Sequence, residues 1–106
     1  MRLLPSVALW VSDMAKQETP EYIKLSDSKA QITLSRPLEI DGAKVSVLTM
    51  REPTVDDQLA AEKLGSGGEA DKIYMANLCQ VTPGDIGRLP LRDFKRLQVA
   101  FSFFID

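Results

Sequence analysis

Ile32, Leu34, Leu38 and Ile40 all fall on even positions, and Asp41-Gly42 follows them at once. A period of two places side chains on one face of a sheet, and an Asp-Gly pair tolerates the positive φ that a tight hairpin turn demands. Lys44 to Met50 then resumes a β-branched, alternating run, so the spacing predicts a β-hairpin. Pro37 has no amide hydrogen to give to a ladder, which makes its strand either an edge strand or one broken at that point. A plain two-residue turn would put Leu34 opposite Thr49 and send Leu48 and Met50 to the outer face. A three-residue loop with a glycine bulge pairs Leu34 with Met50 and Leu38 with Ser46, keeps Leu48 and Met50 on the core side, and is the expected form.

After residue 53 the period changes to that of helices. Thr54 can cap a helix start with Asp56 and Asp57 in its first turn, where the dipole favours carboxylates. That helix is expected to run to about Leu64, where Gly65-Ser66-Gly67-Gly68 stops it. A second helix from about Glu69 to Val81 carries Ala70, Tyr74, Leu78 and Val81 on one stripe, widened by Met75 and Cys79, and should be the most buried element. Thr82-Pro83-Gly84-Asp85 repeats the start chemistry for a short helical turn that fails near Leu89-Pro90. A last helix from about Leu91 to Ile105 aligns Phe94, Leu97, Phe101, Phe104 and Ile105 as core candidates. On this reading Val99 and Phe103 point the other way, beside Arg92, Lys95 and Arg96, and form either a surface for a partner or one that the hairpin or the segment 14–30 covers. The expected fold is α+β: a small antiparallel β-hairpin or sheet followed by three main helices and a short helical turn. An isolated hairpin is marginal in water, so the sheet must lie on helices or gain strands from another copy, a homo-oligomer.

The 106 residues suffice for one modest core, not two domains. Residues 1–30 read as a poorly structured N-terminal arm, with 14–30 either mobile or a poorly paired edge segment. Met1 to Val11 loosely resembles a secretory signal, but Pro5 interrupts it and Ser12-Asp13 suits cleavage poorly. Met14 opens a second plausible start, so residues 1–13 are expected to lie upstream of the natural start. No run approaches the roughly 20 apolar residues that cross a bilayer.

The absence of histidine removes the imidazole that a histidine general base, a His-ligated metal or a Ser-His or Cys-His pair requires. Cys79 is the only cysteine, which leaves no internal disulfide or thiolate cluster and suits a small apolar filler. Gly65 to Gly68 lacks both a following Gly-Lys-Ser/Thr and a preceding strand, so it is a linker and not a phosphate loop. Glu52, Asp56, Asp57 and Glu62 read as a solvated face around a helix start, not a metal site. No catalytic residue, metal or cofactor is expected. Arg88, Arg92, Lys95 and Arg96 form a basic cluster that could mimic a DNA-reading helix pair. The net charge of −2, the proline in the connecting turn and the phenylalanine-rich last helix argue against nucleic acid.

The order Ile32-Thr33-Leu34-Ser35-Arg36-Pro37-Leu38, Asp41-Gly42, Leu48-Thr49-Met50, Arg51-Glu52-Pro53-Thr54 with Asp57, Ala60-Ala61-Glu62-Lys63, Thr82-Pro83-Gly84-Asp85-Ile86, Leu89, Asp93-Phe94 and Leu97-Gln98 resembles the tail assembly chaperones of contractile-tailed phages and prophages, including Mu-like ones. The resemblance covers about residues 31 to 101 and makes 31–106 a single tail-assembly-chaperone-like domain. It implies a non-enzymatic protein of the infected bacterial cytoplasm that binds the tape measure protein during tail-tube assembly and is absent from finished particles. It also implies a longer, frameshifted form of the same gene as a further partner. The contact residues come from the physical reading: Arg92, Arg96, Val99 and Phe103 on the last helix, with Arg51 and Glu52 as a second set whose alternative role is joining strand to helix. A small nucleic-acid-binding regulator using the basic C-terminal helices and a minor structural tail protein are the alternatives.

Overall fold

A computed structural model of the chain describes residues 19–105; the expectations for residues 1–18 lie outside them. Three antiparallel strands come first: β1 (Ile23–Leu25), β2 (Lys29–Ile40) and β3 (Ala43–Arg51), in the spatial order β1-β2-β3. Four helices follow: α1 (Val55–Leu64), α2 (Gly68–Cys79), α3 (Pro83–Gly87) and α4 (Leu91–Ser102). The α+β class and the order of elements are as the periodicities predict. Within 14–30 the structure takes the second of the two expected forms: Ile23 to Leu25 pairs with Ala30 to Ile32, which makes it a short edge strand. Ile23 explains the docking, because its side chain is buried in the core beside Ile32.

The hairpin has a register that neither simple alternative anticipates. Its turn is the plain two-residue Asp41-Gly42 with φ of 51° and 82°, both positive as a type I′ turn requires, and it pairs Ile40 with Ala43 and Leu38 with Val45. The expected bulge at the turn is absent. It sits instead in mid-strand, where Leu34 to Pro37 stand opposite Ser46 alone before Thr33 pairs with Val47 and Ile32 with Leu48. That offset is odd, so β3 changes phase relative to β2: Leu48 and Met50 are buried while Val47 faces solvent. Pro37 supplies the cause, since it has no N–H for the ladder. Ile32, Leu34 and Leu38 therefore stay inward as their spacing predicts, by a different route, with Ile40 partly buried beside the turn.

The inner sheet face lies against α4 through β2 and against α2 through β3. Ile32, Met50, Met75, Leu78, Leu97 and Phe101 are fully buried, and Tyr74 meets Phe101 edge to face at 5.2 Å between ring centroids. Burying such side chains contributes roughly 1.5–3 kcal/mol each. Both predicted caps form reciprocal boxes, Thr54 with Asp57 and Thr82 with Asp85. Each satisfies two otherwise free amide hydrogens at a helix start. α2 ends at Gln80, whose φ of 58° is left-handed, and α4 stops at Ser102, three residues short of its expected end.

Candidate functional site

The α4 face expected to meet a partner is turned largely inward. Val99 is only 7% exposed and belongs to the core, while Phe103 is half-buried and packs against that core. The reason lies in the residue one turn before Val99. Arg96 donates to the Thr33 carbonyl oxygen at 2.8 Å and its guanidinium lies 4.3 Å from the centroid of the Tyr22 ring. The central strand β2, together with the segment leading into β1, thus meets this helix face. Arg96 is held inside the fold by these contacts, and Arg92 alone of the four keeps an exposed side chain.

Asp93, on the same helix, is fully buried. Its two carboxyl oxygens accept from the Ser35 amide at 2.8 Å and the Ser35 hydroxyl at 2.9 Å, at the stretch of β2 where the ladder to β3 lapses. Arg96 Nε stands 3.9 Å from the same carboxyl group. Asp93 and Arg96 together clamp the β2 irregularity onto α4. The sequence holds one signal for this, an acid next to Phe94 on a helix whose other charges are basic.

Arg51 joins strand to helix. Its guanidinium donates both terminal nitrogens to the Asp57 carboxylate at 2.7 Å, the bidentate arrangement in which arginine binds carboxylates most strongly. Hydrogen bonding to Arg51, with further donation from Thr54, holds the Asp57 carboxyl well below its usual range, and Arg51 is raised in turn. The Glu52 side chain is exposed, while its amide donates to the Ser28 carbonyl at 2.9 Å. Arg88 pairs with Asp85 at 2.8 Å and donates to the Glu39 carbonyl at 2.6 Å.

Apolar side chains reach solvent elsewhere. On α1, Val55 is 74% and Leu64 73% exposed, and Leu59, one turn on from Val55, is exposed as well. Ala61 is the one residue of this helix inside the core, and α1 packs on α2 while Val55, Leu59 and Leu64 stay exposed. The apolar residues of α1 lie all round its axis, and one neighbour cannot cover them all. A shallow groove of about 210 Å3 continues this surface from Val55 past Tyr74 to Phe104 and Ile105. A second exposed spot centres on Leu91, 69% exposed, over a groove of about 270 Å3 that Ile86, Leu89 and Phe94 line, with Lys72 at its rim. These residues escaped the sequence reading because periodicity identifies an apolar stripe without saying which neighbour covers it.

The described residues include one free cysteine and no group of three or more metal-ligating side chains. Cys79 is buried, and burial pushes its thiol up to about 12, far from the thiolate a nucleophile needs. Among the described residues, no helix is long and apolar enough to cross a membrane. What the described surface offers is docking: a helix with protruding valine and leucine, and an apolar groove with a cationic rim.

No curated protein and no solved structure matches the chain. Residues 31–106 match the family described as phage tail assembly chaperone proteins, E, or 41 or 14. The match takes in β3, all four helices and nearly all of β2, the elements that form the core and both apolar surfaces. The chain belongs to the phage tail assembly chaperone family.

Proposed function

We propose that this chain binds the tape measure protein and keeps it soluble while the tail tube assembles, acting without catalysis in the cytoplasm of the infected bacterium and leaving before the particle is complete. The observation that carries this reading is the exposed apolar surface of α1, with Val55 and Leu59 one turn apart on one face and Leu64 at the helix end, in a member of the chaperone family. A long helical client presents apolar stripes that aggregate until they are buried, and exposed apolar side chains on a helix can cover such a stripe reversibly. The docking surface proposed is α1 with the groove beside Phe104 and Ile105, and the exposed Glu52 is a further contact residue proposed for the client. On α4, Arg92 remains available to touch the client, whereas Arg51, Arg96 and Val99 hold the fold and Phe103 contributes only its uncovered edge.

Co-expression with the product of the long open reading frame downstream tests this. The client should be soluble and co-elute on gel filtration only when the chaperone is present, and Leu59→Asp with Val55→Asp should abolish the complex without unfolding the chain. A client equally insoluble with and without the chaperone would sink the reading. Purified virions should lack the protein on immunoblots, which separates a chaperone from a minor structural component. Two of the four cations on which a nucleic-acid reading depends, Arg88 and Arg96, are occupied by intramolecular partners, and salt-sensitive retention on DNA should be absent.

A further inference from the structure

The two apolar surfaces have opposite rims. The exposed side of α1 projects Val55 and Leu59, and Asp56 and Glu62 flank Leu59 with Lys63 as the one countercharge. The Leu91 groove is concave and basic: Lys72 stands on its wall, and Lys95, one turn on from Leu91, and Arg92 are exposed beside it. Glu69 is its countercharge and already pairs with Lys72 at 3.2 Å. A helix face with acidic flanks and a groove with exposed cations beside it are opposite in sign, and complementary potential of this kind selects a partner and its orientation. Both are on every copy of the chain.

We propose that, without its client, one copy sets the Val55 and Leu59 face of α1 against the Leu91 groove of a second copy. This goes beyond the chaperone reading in naming a second partner, and it rests on that reading in one respect, that client and second copy compete for α1. Few side chains take part, so the association is weak and concentration-dependent, as small interfaces are. Its consequence is that α1 is covered whenever no client is present.

Sedimentation equilibrium of the full chain, alone, at rising concentration and at low and high salt, tests the proposal. The wild type should self-associate at low salt and dissociate at 0.5 M salt, about one Debye length of 3–5 Å being left to exposed charges there. The doubly reversed Asp56→Lys, Glu62→Lys should associate about tenfold more weakly or worse, as should Arg92→Glu, Lys95→Glu. Mixed in equal amounts, those two variants should form heteromers, because one then carries two basic surfaces and the other two acidic ones. All four side chains are exposed, and circular dichroism should confirm that both variants fold. Leu91→Asp should abolish association in the wild-type background. A wild type that stays monomeric throughout, reversed variants that associate like the wild type, or a mixture that remains monomeric would overturn the proposal. None of these readouts contains the client, so a client that fails to bind would count against the chaperone reading alone.

Discussion

Replacing Asp93 by alanine removes the contact that holds the β2 irregularity, and the cost follows from its geometry. Two hydrogen bonds vanish, at 2.8 and 2.9 Å, from a side chain with no solvent exposure. Hydrogen bonds to a charged group contribute about 1.5–3 kcal/mol each. Ser35 is exposed, so its freed amide and hydroxyl can turn to water and add no penalty for burial without a partner. The lower end of the range applies, giving about 3 kcal/mol, or a fall in melting temperature of about 4–8 °C per kcal/mol for a domain of this size. Asp93→Asn should cost only about 1 kcal/mol, because the amide oxygen can accept from the Ser35 N–H and its NH2 can donate to the hydroxyl. Ser35→Ala removes the hydroxyl bond alone, about 1–1.5 kcal/mol. Urea unfolding of Asp93→Ala, Ser35→Ala and the double variant, followed by circular dichroism, closes a double-mutant cycle. The double variant should lose little more than Asp93→Ala does, with a coupling energy of about 1 kcal/mol. Strict additivity, or an Asp93→Ala loss under about 1 kcal/mol, would refute the clamp.

Asp57 has a depressed folded-state pKa, so its stabilisation is fully present above the unfolded carboxylate value near ~4 and is lost as pH falls toward the folded value. Melting temperature measured from pH 6 to pH 2 should fall more steeply for the wild type than for Asp57→Asn, and equal slopes would contradict the Arg51 pairing. Cys79, with its thiol pushed up to about 12 by burial, should resist a maleimide or disulfide reagent at pH 8 in the native chain and react readily in 6 M urea; prompt native labelling would place it at the surface. Gln80 caps α2 in the left-handed region, where glycine carries no Cβ penalty, so Gln80→Gly should stabilise the chain by about 0.5–1 kcal/mol in urea titrations. A destabilised variant would mean that the side chain holds the turn.

The local rules could be read from the chain because their causes are local. Thr54 and Thr82 cap helices since the acid three residues on lies within reach of each, whatever the rest of the molecule does. Asp41-Gly42 makes its turn because those two residues tolerate positive φ, and Leu97 and Phe101 reach the core because helical spacing keeps them on one face. The register of the same hairpin was not legible in detail. Pro37 announces a break, but where the ladder resumes is set by Asp93, 58 residues beyond Ser35.

Between the two readings of the outer α4 face, exposed to a partner or covered by the hairpin and the segment before it, the sequence does not decide, for the same reason. A helical wheel sorts Val99 and Phe103 away from Leu97, yet Tyr22 and Thr33 meet Arg96 from that side, and only the folded chain brings them there. The docking surfaces likewise depend on coverage: α2 and the sheet leave Val55, Leu59 and Leu91 bare, although each is as apolar as its buried counterparts. By itself, then, the sequence determined the α+β order, the caps, the turn and the lack of imidazole chemistry, because these depend on residues close along the chain or on composition. Tertiary structure alone decided the strand offset, the buried Asp93 and which apolar side chains remain for a partner, because these are set by which distant surfaces meet and which are left over.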